Sequence, residues 1–476
     1  MPSIRNLHAA AEACAATRRR TSGGPIANSA AAAAVRRLSS TAPPRSSSGR
    51  RSPHAAPSPD SARAALEYCA RLVRQHDPDS FAWAVLLPKE ERARVLALRA
   101  LNVEALLVPT SAGRRSSGDG AAAMLRIRYQ WWRDAVRAAM DAPAVAEAEA
   151  AAAAEEEEDA EDLEADDDDE EEEEQEQEEQ ERGAAATTPP SAATRSRPRP
   201  LPPAHPVVTA LWAARASAGP RLQRYPLRRL IDAREREALS AAAGEPPPLR
   251  LSDLEAHAEA THAQLLYAQL AAIGGDNSSS SSNAAAAADH AASHVGKAVG
   301  LAMALRGLPY AAAQRRCVLP LEVCASAGLS QEDVFRRAAA LEAGRAPSER
   351  DWPPRADAAL RDAVLEVASR AVGHLREARA LLGGNGGEGG DGGAARLRKG
   401  QAHALLPAVA ADLYLSALER TAQFDVFHPA LRPPPPPTTT TTAGQPPPPP
   451  PLGAGLGVSP LRYLLSLRWH AWRGTF

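Results

Sequence analysis

Two histidines of this chain have a spacing that suits metal binding. His290 and His294 are four residues apart, and this spacing places two imidazole rings on one face of an α-helix, where both can bind one ion. The neighbouring sequence supplies neither a glutamate in the H-E-x-x-H register nor a third ligand. A polar face near the start of a helix is therefore the simpler interpretation, and we predict no metal site.

Paired carboxylates, which hold Mg²⁺ or act as general acid and base, are equally scarce. Two pairs have the i, i+4 spacing of a helix face, namely Glu255 with Glu259 and Asp362 with Glu366. Arginines surround both pairs, and such pairs arise readily by chance in a chain that is 24% charged. We therefore predict no catalytic residue and no cofactor.

The elements that position these residues are predicted to be helices almost throughout. Apolar residues recur at helical spacing, whereas aromatic residues make up only 4% of the chain and no alternating run typical of a strand occurs. The predicted helices are 61–73, 89–108, 121–140, 207–218, 227–242, 252–272, 289–305, 330–341, 357–382, 401–424 and 461–472. The sequence thus predicts one all-α domain.

Residues 1–50 have the composition of an organellar targeting peptide. They carry eight arginines, no lysine and a single acid, Glu12, among many serines and alanines. Residues 35–40 resemble a mitochondrial processing site, with arginines two and three positions before Ser39. We predict a mitochondrial transit peptide here; the alternatives are a chloroplast transit peptide or a disordered tail without a targeting function.

Four low-complexity segments interrupt the helical remainder, residues 61–476. They are 146–203, 274–288, 383–393 and 433–457. The first contains a run, 155–181, with 21 acidic residues and no basic one, and like charge at this density prevents formation of a packed core. We predict that all four are disordered insertions; binding of cations or of a basic partner by the acidic run is the alternative.

Composition also excludes several classes of protein. Four cysteines in 476 residues, without a C-x-x-C pair, argue against a disulfide scaffold and a structural zinc site. No stretch approaches the ~18–20 consecutive apolar residues of a membrane span. Arginines account for 52 of the 55 basic residues, but nucleic-acid binding calls for a clustered basic face, so we predict no nucleic-acid partner.

Three separated segments resemble the squalene/phytoene synthase family. Residues 97–104 occupy the place of the family's first catalytic helix, residues 126–135 are similar to its R-x-x-W-W-R-D-A stretch, and residues 296–320 resemble the helix that leads into its G-R-x-Y-L-P segment. The resemblance implies an isoprenoid-synthase-like helical domain from about residue 61 to the end of the chain. It also implies a chemistry that joins two prenyl diphosphates.

That chemistry requires Mg²⁺ to stabilise the diphosphate leaving group, and the family supplies the ligands from two D-x-x-x-D motifs. The resemblance places the second motif directly after Arg306, where this chain has Gly307 and Ala311 in the carboxylate positions. The first motif falls near residues 106–110, which contain no acid. Pro309 is expected to disrupt the helix as well. We therefore predict a pseudoenzyme.

This chain shows a more detailed resemblance to one non-catalytic branch of the family, whose members have lost the metal-binding motifs. Residues 97–104, 289–298, 330–333, 424–429 and 466–473 carry it. The resemblance implies a factor on the matrix side of the inner mitochondrial membrane that acts early in assembly of respiratory complex I, on a membrane-arm core subunit. An active prenyl synthase and a lipid-binding scaffold of the inner membrane are the alternatives.

Two further sets of residues are candidates for binding. We expect a remnant of the family's pocket to bind a lipid or a hydrophobic segment; its residues are Glu104, Glu237, Arg306, Tyr310 and Arg316. Alternatively, the two arginines only hold helix ends and carbonyls. The apolar side of the last helix suits contact with a membrane surface or packing on the bundle; its residues are Leu461, Leu464, Leu465, Trp469 and Trp472.

Overall fold

The architecture is known from a computed structural model of the 476-residue chain. The structure describes residues 58–111, 120–141, 205–273, 282–345, 348–349, 352–383, 399–432, 452–453 and 455–476. The predicted transit peptide and the insertion 146–203 lie outside the described residues, as does most of the other three insertions. Within these ranges the secondary structure is helical and contains no strand, which confirms the predicted all-α class.

Fifteen helices carry the described part of the chain. They are α1 (Pro59–His76), α2 (Pro78–Ala84), α3 (Lys89–Ser111), α4 (120–141), α5 (Pro206–Ala218), α6 (Arg224–Ala243), α7 (Leu251–Ala258), α8 (Gln264–Ile273), α9 (Ser282–Ala313), α10 (Leu321–Ser326), α11 (Gln331–Glu342), α12 (Pro354–Gly383), α13 (Lys399–Ala404), α14 (Pro407–Arg420) and α15 (Pro460–Arg473). A π-helical turn, Glu259–Ala263, joins α7 to α8. Short 3₁₀ turns lie at Gly219–Arg221 and Pro429–Leu431.

Two prolines lie inside helices, although the predicted helix 89–108 ended directly before Pro109 and Pro309 was expected to disrupt its helix. α3 continues past Pro109 to Ser111, and α9 continues past Pro309 to Ala313. A proline interrupts one backbone hydrogen bond, but both stand in the last turns of their helices, where buried neighbours such as Leu308 and Ala312 hold the chain in place. α9 also begins at Ser282, inside the segment 274–288 that was predicted to be an insertion.

One hydrophobic core runs through the bundle, and α9 lies at its centre. The longest helix–helix contact pairs α9 with α12, and α9 also packs on the π-turn, α7, α11 and α14. α3 contacts α1, α5 and α8. α3 and α9 therefore each pack on several other helices of the bundle. No helix of the described residues combines the length and apolar character needed to cross a membrane.

Candidate functional site

A cavity of about 470 Å³ lies between α1, α3, α4 and the start of α5. Its polar and aromatic lining consists of Tyr68, Glu104, Arg128, Trp131, Trp132 and His205. The two tryptophans meet edge to face with ring centroids 4.9 Å apart, and the His205 ring lies 5.2 Å from that of Trp132. The cavity can thus receive an apolar group against aromatic faces, beside one carboxylate.

Glu104 is held in place within this cavity. The Tyr68 hydroxyl donates a hydrogen bond of 2.7 Å to Glu104 Oε1, and burial together with that bond raises the pKa of Tyr68. His205 Nε2 lies 3.9 Å from Glu104 Oε1. Burial lowers the pKa of His205 although Glu104 opposes the shift. Burial therefore favours the neutral imidazole of His205 at neutral pH.

Glu237 belongs to a different set of contacts, centred on the buried Arg234. Arg234 Nη1 donates to Glu237 Oε2 at 2.9 Å, and its Nη2 donates to Asn102 Oδ1 at 3.2 Å. Burial alone would raise the pKa of Glu237, but the charges of Arg234 and His257 outweigh it and lower the pKa to about 2. Glu237 is therefore an ionised partner of Arg234 near neutral pH, and an acid this strong does not donate a proton there. Both residues lie on α6, and it is Arg234 that links α6 to α3, through Asn102.

Arg306 makes a third, separate set of contacts. Its Nη1 lies 3.2 Å from Asp79 Oδ2 on α2. Asp79 also accepts a hydrogen bond from the Gly453 amide at 3.1 Å, and its carbonyl accepts one from the Tyr463 hydroxyl at 3.3 Å. This arrangement fastens the C-terminal segment to the bundle.

The remaining predicted pocket residues lie elsewhere: Arg316 is exposed and Tyr310 is half-buried. Of the five residues predicted to form a remnant pocket, the cavity lining includes Glu104 and none of the other four.

The last helix presents the apolar surface that its sequence predicted. On α15, Tyr463, Leu467 and Ala471 are buried against the bundle. The opposite side is exposed and consists of Leu461, Leu464, Leu465, Trp469 and Trp472, with exposed fractions from 44% to 69%. The helix therefore packs on the bundle with one side and leaves the candidate membrane residues accessible on the other.

Sequence reasoning missed the neighbours of His294. α12 places His374 Nδ1 at 2.9 Å from His294 Nδ1, and Glu377 Oε2 lies 3.0 Å from the same nitrogen. These residues are about eighty positions from His294 in the sequence. Spacing along one helix cannot indicate a contact of this kind. The available signal was the H-x-x-E spacing of residues 374–377, which places both side chains on one helix face.

Comparison with known proteins supports the resemblance seen in the sequence. The model of the squalene/phytoene synthase family matches residues 158–438, which is more than half of the chain. NADH dehydrogenase (ubiquinone) complex I, assembly factor 6 of Rattus norvegicus is 30% identical over 383 residues, covering 80% of this chain and 82% of that protein. The Homo sapiens protein of the same name is 28% identical, covering 79% and 80%.

Among solved structures, a squalene synthase from Alicyclobacillus acidocaldarius is similar with a TM-score of 0.47 and 14% identity, covering 77% of this chain and 97% of that one. The family match and the relatives at this coverage are sufficient to classify the chain. It belongs to the squalene/phytoene synthase family.

Proposed function

We propose that this protein is a non-catalytic assembly factor for mitochondrial respiratory complex I, acting early on a membrane-arm core subunit. The observation that carries the proposal is the similarity to proteins named complex I assembly factor 6 over about four-fifths of the chain. Its partners are then complex I subunits or assembly intermediates. The working location is the mitochondrion, on the matrix side of the inner membrane, to which the arginine-rich composition of residues 1–50 is suited.

The chemistry of the interior supports a role without catalysis. Ionisation of a prenyl diphosphate needs oxygen ligands for Mg²⁺, and the positions that the family resemblance assigns to the second acidic motif hold Gly307 and Ala311, which have no side-chain oxygen. The acids nearby already have partners in the protein: Glu237 is bound by Arg234 and Glu104 by Tyr68. No pair of carboxylates in this set is available for a metal clamp.

The deciding experiment removes the gene and restores it in altered form. We expect the knockout to lose complex I on native gels with in-gel NADH dehydrogenase staining, while the other respiratory complexes remain. A Glu104→Gln variant keeps the shape of the side chain and an oxygen that accepts from Tyr68, but it removes the carboxylate. It should restore complex I. Normal complex I in the knockout, or altered carotenoid or sterol precursors, would refute the proposal.

The alternative functions are separated by direct assays on the purified protein. Turnover of farnesyl or geranylgeranyl diphosphate with Mg²⁺ would establish a prenyl synthase. We expect none. For the lipid-binding scaffold, the cavity beside Trp131 offers an aromatic wall for an acyl or prenyl chain. If a Trp131→Ser variant restores complex I as well as wild type does, this cavity is not required for the function.

We also propose that the exposed side of α15 contacts the inner membrane. Leucine and tryptophan on one side of a helix that also bears arginines are suited to the interface of a bilayer. Trp469→Ser together with Trp472→Ser should reduce flotation with cardiolipin-containing liposomes. Ile127→Ser is the matched control, because Ile127 is 61% exposed on α4 but lies outside this surface. Equal flotation of the double variant and wild type would rule out the contact.

A further inference from the structure

Four polar side chains from three helices meet at the junction of α7, α9 and α12. His294 extends from α9, and His374 and Glu377 extend from α12 with the i, i+3 spacing that places two side chains on one helix face. One ligand atom from each of these three residues lies within 4.8 Å of the others. The fourth residue, Glu255 of α7, contacts His374 from the other side.

Glu255 fixes which nitrogen of His374 faces the cluster. His374 Nε2 lies 2.9 Å from Glu255 Oε1, and Arg370 also binds this carboxylate. Since a carboxylate accepts the imidazole N–H, the proton belongs on Nε2 and the lone pair on Nδ1, which points at His294. This is the arrangement by which a carboxylate orients a metal-binding histidine from outside the coordination sphere.

Burial and charge prepare the two imidazoles for a cation. The side chains of His294 and His374 are 14% and 11% exposed, whereas that of Glu377 is 63% exposed. The exposed carboxylate gives an ion access from solvent and supplies a negative charge.

We propose that His294, His374 and Glu377 bind one divalent transition-metal ion, with Glu255 holding His374 in position. Two imidazoles and one carboxylate suit Zn²⁺ and its neighbours in the first transition row rather than Mg²⁺ or Ca²⁺, which prefer oxygen ligands. His294 Nδ1 lies 2.9 Å from His374 Nδ1 and 3.0 Å from Glu377 Oε2. Ligands about 2.0–2.1 Å from a tetrahedral zinc stand somewhat over 3 Å apart, so small side-chain rotations suffice.

Three protein ligands leave a fourth position for water or an added ligand. Binding would displace the proton shared between His294 and His374, and it would join α9 to α12 at their long contact. The site involves none of the residues assigned to the family's acidic motifs, and it does not depend on the proposed function. His290 contacts the other ring nitrogen of His294, with 3.3 Å between their Nε2 atoms. It therefore lies outside the ligand set and serves as a control.

The test uses the full chain, stripped of metal with a chelator and titrated with Co²⁺, whose visible absorption reports tetrahedral nitrogen and oxygen ligation. We expect the absorption to saturate at one equivalent and to disappear when Zn²⁺ is added. His294→Gln and His374→Gln should abolish it. Glu255→Gln should weaken binding by about 10- to 100-fold, as loss of an outer-shell partner does. His290→Gln should bind Co²⁺ as wild type does.

Glu377→Gln keeps the test decisive if a histidine variant fails to fold, because its side chain is largely exposed and the substitution leaves the core unchanged. We expect this variant to bind Co²⁺ more weakly and with a changed spectrum. The proposal is overturned if wild type shows no saturable absorption, if Glu377→Gln has the affinity and spectrum of wild type, or if His290→Gln loses binding as completely as His294→Gln.

Discussion

Gly296 allows α9 to approach the π-turn so closely that any side chain should separate them. A Cβ added at this position would lie 2.5 Å from the Cβ and 2.5 Å from the backbone nitrogen of Ala263, with the Ala263 Cα also in contact. Ordinary contacts of a Cβ with carbon atoms are about 3.5–4.0 Å long. Backbone atoms of the π-turn cannot rotate away as the end of a flexible side chain can. We therefore expect Gly296→Ala to force α9 away from Ala263.

The size of the effect follows from two opposing terms. Alanine in place of glycine inside a helix is favourable by about 1 kcal/mol, whereas overpacking of a close contact costs about 1–3 kcal/mol and occasionally more. Because the clash involves backbone atoms, the upper part of that range applies, and the free energy of unfolding should fall by roughly 2 kcal/mol. Gly373 of α12 is the matched control: a Cβ there would meet no atom within 4 Å. Gly373→Ala should raise the free energy of unfolding by about 0.5–1 kcal/mol.

Denaturant titration followed by far-ultraviolet circular dichroism measures both variants against wild type. The two substitutions are chemically identical and both lie inside long helices, so their effects on helix propensity cancel in the comparison. What remains is the contact between α9 and the π-turn. If Gly296→Ala were as stable as Gly373→Ala, the close approach of α9 to Ala263 would be refuted, and with it the positioning of the long helix that carries His294.

Two further predictions concern the buried contacts of Arg234. Arg234→Leu should lower the free energy of unfolding by roughly 3–5 kcal/mol, because removing one partner of a buried ion pair leaves Glu237 uncompensated; the exposed Arg236→Leu is the control, with an effect within about 0.5 kcal/mol in denaturant titration. Equal effects would show that Arg234 is not the buried partner of Glu237. The pKa of Glu237 lies at about 2 in the folded protein, below the value of about 4.3 in an unfolded chain. Its ionised form therefore stabilises the fold above that unfolded value, and this contribution is lost as pH falls towards 2. Unfolding midpoints measured between these pH values should decrease less steeply for Glu237→Gln than for wild type, and identical slopes would contradict the ion pair.

The sequence predicted several of the longer helices well, whereas α9 extends about seven residues beyond each end of its predicted range, 289–305. α4, α5 and α12 begin and end within about three residues of their predicted bounds. The two short helices α2 and α10 were missed, because six or seven residues are too few to establish a period. The predicted helix 401–424 is divided into α13 and α14 at Leu405 and Leu406, directly before Pro407. Proline has no backbone N–H to continue the α-helical pattern, and the amides of Leu405 and Leu406 bond to carbonyls three residues back, those of Ala402 and His403.

At the candidate sites, sequence-based prediction succeeded within one helix and failed for contacts between helices. The apolar side of α15 was predictable because it depends on spacing within one helix. The partners of the predicted acids were not: Glu237 is bound by Arg234, three residues away, but the same arginine reaches Asn102, which is 132 positions distant. His294 and His374, which also meet in the structure, are 80 positions apart in the sequence. Such contacts depend on how the helices pack, and no single helix contains that information.

The interior arginines give a physical reason why this bundle is suited to roles other than binding a diphosphate. Each is matched by oxygen atoms of the protein itself: Arg99 by Asp77, Arg234 by Glu237, Arg306 by Asp79 and Arg337 by Asp425. A diphosphate would have to compete with these carboxylates for the guanidinium groups, and displacing one would leave a largely buried carboxylate without compensation. That arrangement costs several kcal/mol. In these four pairs each arginine and each carboxylate therefore serves as the partner of the other. None of the four arginines is left to bind a leaving group, and none of the four carboxylates is left to bind a metal.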